Sequence, residues 1–173
     1  ATLYGLPEAR RLLGAESRSD QAVVVVEGYM DVIACQRADV PAVAPMGTAL
    51  TEEQMAGLWR ISSEPVLCFD GDAAGRRAAF RAVERALPLI KPDRSLQFVS
   101  LPGGMDPDDM YREKGGPNLR EALRQTTPLS RMVFEKESEA VGPLDTPEKE
   151  ATLLARLRKC AAAIGDPDLA RAY

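Results

Sequence analysis

The chain has 173 residues, enough for one domain with a hydrophobic core, and its 45% hydrophobic and 28% charged residues exclude a disordered chain. A net charge of −4 argues against a free-standing nucleic-acid binder, which needs clustered Lys and Arg, but leaves room for a catalytic module whose neighbour supplies the basic surface. With no histidine in the chain, imidazole bases, serine triads and imidazole metal sites are excluded, so any catalysis must run on carboxylates, Lys, Arg and bound metal.

Taken in order, Leu6 to Ala15 reads as a short helix with Pro7 in its first turn, where a missing N–H costs nothing. Ser17 to Gln21 reads as a polar linker. Ala22 to Val26 is an apolar, valine-rich run, the mark of a strand buried on both faces, and it stops at Glu27-Gly28. Tyr29 to Ala38 fits a half-buried helix, and Ala42 to Ala44 a short strand followed by the turn Pro45-Met46-Gly47. Thr51 and Gln54 have capping-box spacing and start a helix through about Ile61. Pro65 opens a third strand, VLCFD, ending at Asp70.

Ala73 to Leu87 carries the clearest helical period. Phe80, Val83 and Leu87 would face the sheet, and Arg77, Arg81 and Arg85 would lie opposite. Leu96 to Leu101 is a fourth strand closed by Pro102-Gly103-Gly104. Strands alternating with helices imply βαβ units and a parallel sheet with right-handed crossovers. From Met105 onward no strand signal recurs. Asp108 to Glu113, Leu119 to Gln125, Leu129 to Ala140 and Pro147 to Ile164 read as helices, which suggests an appended helical subdomain. The expected organisation is a helical lead-in at 1–20, an α/β domain at 21–104 and a helical subdomain at 105–173.

Cys35, Cys68 and Cys160 are widely spaced and lack close partners, so neither a disulfide framework nor a zinc site is expected, and a reduced cytoplasmic setting is favoured. Cys35, Cys68 and Trp59 read as core. The apolar runs are of strand length, far short of the roughly 20 residues of a membrane span, so no membrane partner is expected. The opening, LYGLPEARRLL, has no leader-like pattern and reads as the middle of a longer chain.

In a parallel sheet every strand empties at the same edge, where ligands bind. Glu27 follows the first strand, Asp70-Gly71-Asp72 the third, and Asp106-Pro107-Asp108 the fourth. Five carboxylates on one rim cannot all stay ionised unaided, because like charges raise one another's pKa. A hard divalent cation with oxygen ligands, Mg²⁺ or Mn²⁺, is the natural remedy. Two such ions about 4 Å apart would suit phosphoryl or nucleotidyl transfer. Each acid has a plainer reading, since Asp-Gly-Asp is a common turn, and Glu27, Asp106 or Asp108 could cap a helix. The coincidence of three acid-ended strands favours the metal.

Arg76, Arg77, Arg81, Arg85, Lys91 and Arg94 face only Glu84 and Asp93 in their stretch. That surplus is either a solvated helix face or a surface that steers a phosphate backbone toward the rim, with Arg76, Arg77 and Arg81 as the candidate phosphate or DNA contacts. Gly47 is either a turn glycine or a place where a nucleotide approaches the backbone.

These segments resemble the Toprim module of bacterial DnaG-type primases. EGYMDVIA at 27–34, PMGTALTEEQ at 45–54, FDGDAAGRRAA at 69–79 and LPGGMDPDDMYREKG at 101–115 occur in that family's order, and TLYGL at 2–6 is similar to the segment leading into the module. The resemblance covers most of residues 2 to 130. It implies a Toprim fold, an α/β Rossmann-like, mostly parallel sheet flanked by helices, followed by an α-helical subdomain. It implies DNA-directed RNA primer synthesis: a 3′-hydroxyl attacks the α-phosphate of a ribonucleoside triphosphate on a single-stranded DNA template, and pyrophosphate leaves. By the resemblance Glu27, Asp70 and Asp72 are catalytic and hold two or more Mg²⁺ or Mn²⁺ ions, Asp106 and Asp108 complete the metal cluster, and Gly28, Asp31 and Gly47 lie by the nucleotide.

The implied partners are the DNA template, ribonucleoside triphosphates, the RNA primer and a replicative helicase, the last through a region that does not occur in this sequence. A monomer in the bacterial cytoplasm, associated with the nucleoid, is expected. Zinc would belong only to a domain that these 173 residues do not include, as would the basic half of the polymerase region. This part is therefore expected to fold and bind metal without priming alone. Rival readings are a topoisomerase or nuclease Toprim module, a haloacid-dehalogenase-like phosphatase with Asp70 as nucleophile, and a non-catalytic interaction module.

Overall fold

Valine-rich runs of strand length, each followed by an amphipathic helix, give a sheet with helices on both faces. The computed structural model describes residues 2–14 and 21–173. Of the expected lead-in at 1–20, residues 1 and 15–20 lie outside the described residues, and so does the expected linker Ser17 to Gln21 except for Gln21. In chain order come α1 (Leu6–Leu13), β1 (Val24–Val25), α2 (Tyr29–Arg37), β2 (Ala42–Val43), α3 (Glu52–Leu58), β3 (Val66–Phe69), α4 (Ala73–Ala86) and β4 (Gln97–Ser100). A 3₁₀ turn at Pro102–Gly104 leads to α5 (Pro107–Lys114), α6 (Gly116–Arg124), β5 (Thr127–Pro128), α7 (Leu129–Val141), α8 (Pro147–Ala162) and α9 (Pro167–Ala172).

The sheet order is β2-β1-β3-β4-β5. The first four strands are parallel, with Val24 beside Ala42 and Val66, and Val66 through Phe69 beside Gln97 through Ser100. Because side chains alternate across a strand, the valine run divides between two cores. Val23 and Val25 join Val43, Leu67, Phe98 and the buried faces of α3, α4 and α7. Val24 and Val26 join Ala42, Val66, Cys68, Val99 and the buried faces of α2, α5 and α6. That is why the run is apolar throughout rather than alternating. Cys35 and Cys68 are core, and Trp59 packs at its edge with its Nε1 donating to the Ser95 carbonyl at 2.8 Å.

Local signals explain most boundaries. Thr51 and Gln54 form the full capping box, with bonds of 3.2 and 3.0 Å. α1 stops at Leu13, capped by Gly14. Two elements correct the sequence reading. β5 pairs antiparallel with β4, Gln97 against Pro128 and Phe98 against Thr127, so a strand does recur after Met105. It is two residues long, too short for any alternation, and its proline is tolerated because it occupies a sheet edge. α9 was also not foreseen, although Asp166 caps it through bonds to the Asp168 and Leu169 amides and Pro167 opens it. Residues after 105 thus supply layers on both faces of the sheet as well as its last strand.

Candidate metal centre

The crossover β1-α2-β2 runs over one face of the sheet and β3-α4-β4 over the other, as their separate cores require. The chain therefore switches direction between β1 and β3, and a crevice opens at their carboxyl ends. Glu27 leaves β1 and Asp70 leaves β3, one on each side of it. The two meet: the Asp70 N–H donates to Glu27 Oε1 at 3.3 Å.

Backbone shape fixes the remaining acids. After Asp70 the chain turns at Gly71 and starts α4, with Asp72 as N-cap accepting from the Gly75 N–H at 2.7 Å. A Cβ on Gly75 would lie 2.0 Å from the Asp70 carbonyl oxygen, and one on Gly71 would lie 2.9 Å from Gly104 Cα. The missing side chains let α4 and the loop after β4 press against Asp70. Asp106 caps α5 in the same way, accepting from the Asp109 N–H at 2.7 Å. The carboxylates of Asp106, Asp108 and Asp109 all offer oxygens within 4.8 Å of one another. Asp31, in the first turn of α2, accepts from the Asp108 N–H at 3.3 Å and ties that group to α2.

Electrostatics shows how close these groups stand. The Asp70 carboxyl titrates above its ordinary range, through burial first and then the charges of Glu27, Asp106, Asp72 and Asp109. Asp31 is pushed up to about 6, again by burial first, with Asp106 and Asp70 adding to it against the Asp108 and Gly28 amides. Among the described residues, the cation drawn into the group is Arg112, 2.5 Å from Asp109 and 3.3 Å from Asp108. An all-carboxylate donor set suits a hard divalent ion. The nearby thiols do not compete, since burial pushes Cys35 up to about 12 and Cys68 well above its usual value.

The structure thus gathers Glu27, Asp70, Asp72, Asp106, Asp108 and Asp31 along one rim, with Gly28 between Glu27 and α2. The capping readings of Asp72 and Asp106 hold as well, because one carboxylate oxygen caps and leaves the other available. Gly47 sits in a turn with φ +73°, where Thr48 donates back to the Pro45 carbonyl at 3.0 Å, and it lines a cleft shared with Glu27. The arginine stripe is in part matched by distant acids and carbonyls. Arg76 is paired with Glu139 and Glu135 of α7 and lies 5.0 Å over the Phe80 ring, lining a cleft that Asp70 and Asp72 also line. Arg85 donates to the Leu50 carbonyl, and Arg94 covers Trp59.

Sequence reasoning missed Asp109 and Gly75. A helix start at Asp106, with Pro107 in the first turn, would have placed Asp109 against the cap three residues on.

Fold and rim together define an α/β domain that gathers carboxylates for divalent cations at a switch point. The Toprim-like family matches residues 24–111, half of the chain, and the chain belongs to that family. It is 42% identical over 170 residues to the DNA primase of Neisseria meningitidis serogroup A, covering 97% of this chain and 28% of that relative. It is 40% identical over 152 residues to the DNA primase of Escherichia coli K12, covering 87% and 25%. The chain therefore spans about a quarter of the length of these curated relatives. Among solved structures, a DnaG primase catalytic domain bound to ssDNA matches with a TM-score of 0.86 at 36% identity, over 99% of this chain and 54% of that one. The RNA polymerase domain of Mycobacterium tuberculosis primase DnaG matches with a TM-score of 0.73 at 31% identity, over 99% and 53%. No helix among the described residues is long and apolar enough to cross a membrane.

Proposed function

We propose that this chain is the Toprim-bearing part of a DNA primase, a DNA-directed RNA polymerase that makes short RNA primers on single-stranded DNA for replication. The observation that carries the reading is the meeting of Glu27 and Asp70 across the switch-point crevice, with Asp106 close enough to act on Asp70. Relatives that share these segments are DNA primases, so a topoisomerase or nuclease role is not favoured. A phosphatase using Asp70 as nucleophile is not favoured on the same ground, since the relatives that share these segments are DNA primases.

In this reading Glu27, Asp70 and Asp72 are the catalytic metal-holding residues, joined by Asp106, Asp108 and Asp109, and the ions are two or more Mg²⁺ or Mn²⁺. Bound there, divalent ions supply charge stabilisation for the reacting phosphate and its leaving group. The protein's own part is to fix the acids through two helix caps and the glycine contacts, and to seat Gly28 and Asp31 beside the incoming ribonucleoside triphosphate. In this reading residues 21–104 carry the Toprim unit, and residues 105–173, mostly helical, add layers on both faces of its sheet and the edge strand β5. Template, primer and helicase contacts draw on the rest of a longer protein, which works as a monomer in the cytoplasm at the nucleoid.

Calorimetric titration of Mn²⁺ into the chain and into its Asp70→Asn, Asp72→Asn variant tests this. Binding is expected in the wild type and at least about tenfold weaker in the variant. In a full catalytic domain the same pair should abolish primer synthesis and spare single-stranded DNA binding. Equal Mn²⁺ affinity in both chains would remove the metal centre, and with it the alternative to a plain interaction module.

A further inference from the structure

The carboxylates of the rim fall into two groups that the fold treats differently. Glu27, Asp70 and Asp72 follow β1 and β3, and among the described residues no Lys or Arg pairs with any of them. Asp106, Asp108 and Asp109 open α5, each offering an oxygen within 4.8 Å of the others. Here a cation is already in place. Arg112 Nε lies 3.3 Å from Asp108 Oδ2 and its Nη2 lies 2.5 Å from Asp109 Oδ1, so one guanidinium spans two of the three carboxylates.

Helix geometry sets this up, because residues three and four apart share a face and Arg112 therefore stands over Asp109 and Asp108. The cluster itself is held from elsewhere. Asp106 caps α5 by accepting from the Asp109 N–H at 2.7 Å, and the Asp108 N–H donates to Asp31 of α2 at 3.3 Å. Losing Arg112 leaves both of those contacts standing. The Arg112 side chain is 65% exposed, against 26% for Asp108 and 42% for Asp109, so it can swing into water when a stronger charge arrives. A guanidinium does not deprotonate in a folded protein, so only displacement frees the oxygens it holds. A divalent ion carries twice its charge and takes several carboxylate oxygens at once, so it prevails, but with reduced affinity.

We propose that Arg112 is the built-in counter-ion of the Asp106, Asp108 and Asp109 cluster, which a divalent cation must displace, so that this half of the rim fills after the half formed by Glu27, Asp70 and Asp72. The inference rests on the metal reading of the rim and adds an order of filling to it. Arg112 acts on the ion through the carboxylates it holds, not by touching a substrate.

Mn²⁺ is the probe, titrated calorimetrically into the chain. Wild type should bind it in a tighter and a weaker phase, the first lost in Asp70→Asn, Asp72→Asn and the second in Asp108→Asn, Asp109→Asn. Arg112→Gln should tighten the weaker phase about threefold to tenfold and leave the tighter one within about twofold. Arg112→Lys keeps the charge and should stay nearer wild type. Lys114→Gln removes the same charge from the same helix at a residue with no ion pair among the described residues, and should stay within about twofold. A side chain needed only for folding could not give tighter binding on its removal. An unchanged or weakened second phase in Arg112→Gln overturns the proposal, and so does equal tightening in Lys114→Gln, which would trace to net charge alone. If Asp70→Asn, Asp72→Asn binds Mn²⁺ as wild type does while Arg112→Gln still tightens binding, the metal reading of Asp70 and Asp72 falls and Arg112 stands as the counter-ion of its own cluster.

Discussion

Glu137 and Asp70 are both acids set among charged groups, and the fold treats them in opposite ways. Glu137, on α7, is only 3% exposed, yet Lys136 reaches it at 2.7 Å, Arg156 of α8 at 2.6 Å and the Cys160 thiol at 3.5 Å. Burial alone would raise its pKa, but Lys136 and Arg156 outweigh that and hold it below the usual range. Lys136 also extends to Glu84 of α4 at 3.0 Å, so the network ties three helices together. Asp70 has acids for neighbours, and its pKa rises. A chain that matches its acids with cations in one place and crowds them unmatched in another is arranged for a cation it does not itself provide.

The largest effect should come from breaking the matched region. Glu137→Ala leaves Lys136 without its main partner in a half-buried site and removes the anchor of Arg156. Removing one member of a buried ion pair costs about 3–5 kcal/mol, and the lower end applies because Arg156 can rehydrate. Urea unfolding should show a loss of about 3 kcal/mol, with Mn²⁺ affinity unchanged. A loss of Mn²⁺ binding at the same time would mean that the two regions are coupled and the contrast is not a local one.

A smaller loss should follow from one methyl group at the unmatched region. Alanine at position 75 would gain about 1 kcal/mol of helix propensity over glycine. Its Cβ, however, would fall 2.0 Å from the Asp70 carbonyl oxygen, and backbone cannot swing aside as a side chain can. Overpacking of about 1–3 kcal/mol set against that gain should leave Gly75→Ala less stable by up to about 2 kcal/mol. It should also bind Mn²⁺ more weakly, because Asp70 must shift from Glu27. A variant stabilised by the full propensity gain would show that the tight approach is not needed.

The rim was legible because a parallel sheet converts order along the chain into position in space. Once Ala22 to Val26 and VLCFD are strands, Glu27 and Asp70 must emerge at one edge, whatever the intervening helices do. The cationic helix was not legible in the same way. Counting Arg76 with its near neighbours in sequence gave a surplus of positive charge, but its partners Glu135 and Glu139 lie about 60 residues further on in α7. Local charge balance predicts surface charge only where no distant element docks. β5 escaped for a related reason, since Thr127 and Pro128 are strand residues only because β4 offers them an edge.

The smallest effect is the most specific to unmatched charge. Asp31 ionises near pH 6 in the folded protein and near 3.8 when unfolded, so between those values the folded state binds more protons. Stability contributed by this group is therefore present below about pH 4 and is lost as pH rises toward 6 and beyond. Asp31→Asn cannot ionise, and with divalent ions chelated it should be more stable than wild type at pH 7 by about 1 kcal/mol or less, because solvent screens the half-buried carboxylate. At pH 4 the two proteins should unfold at the same urea concentration. Saturating Mn²⁺ should reverse the order at pH 7, since an ionised Asp31 then faces cations rather than Asp70 and Asp106. A gain for Asp31→Asn that persists at pH 4 would trace to packing, and the rim would no longer count as a site of unrelieved repulsion.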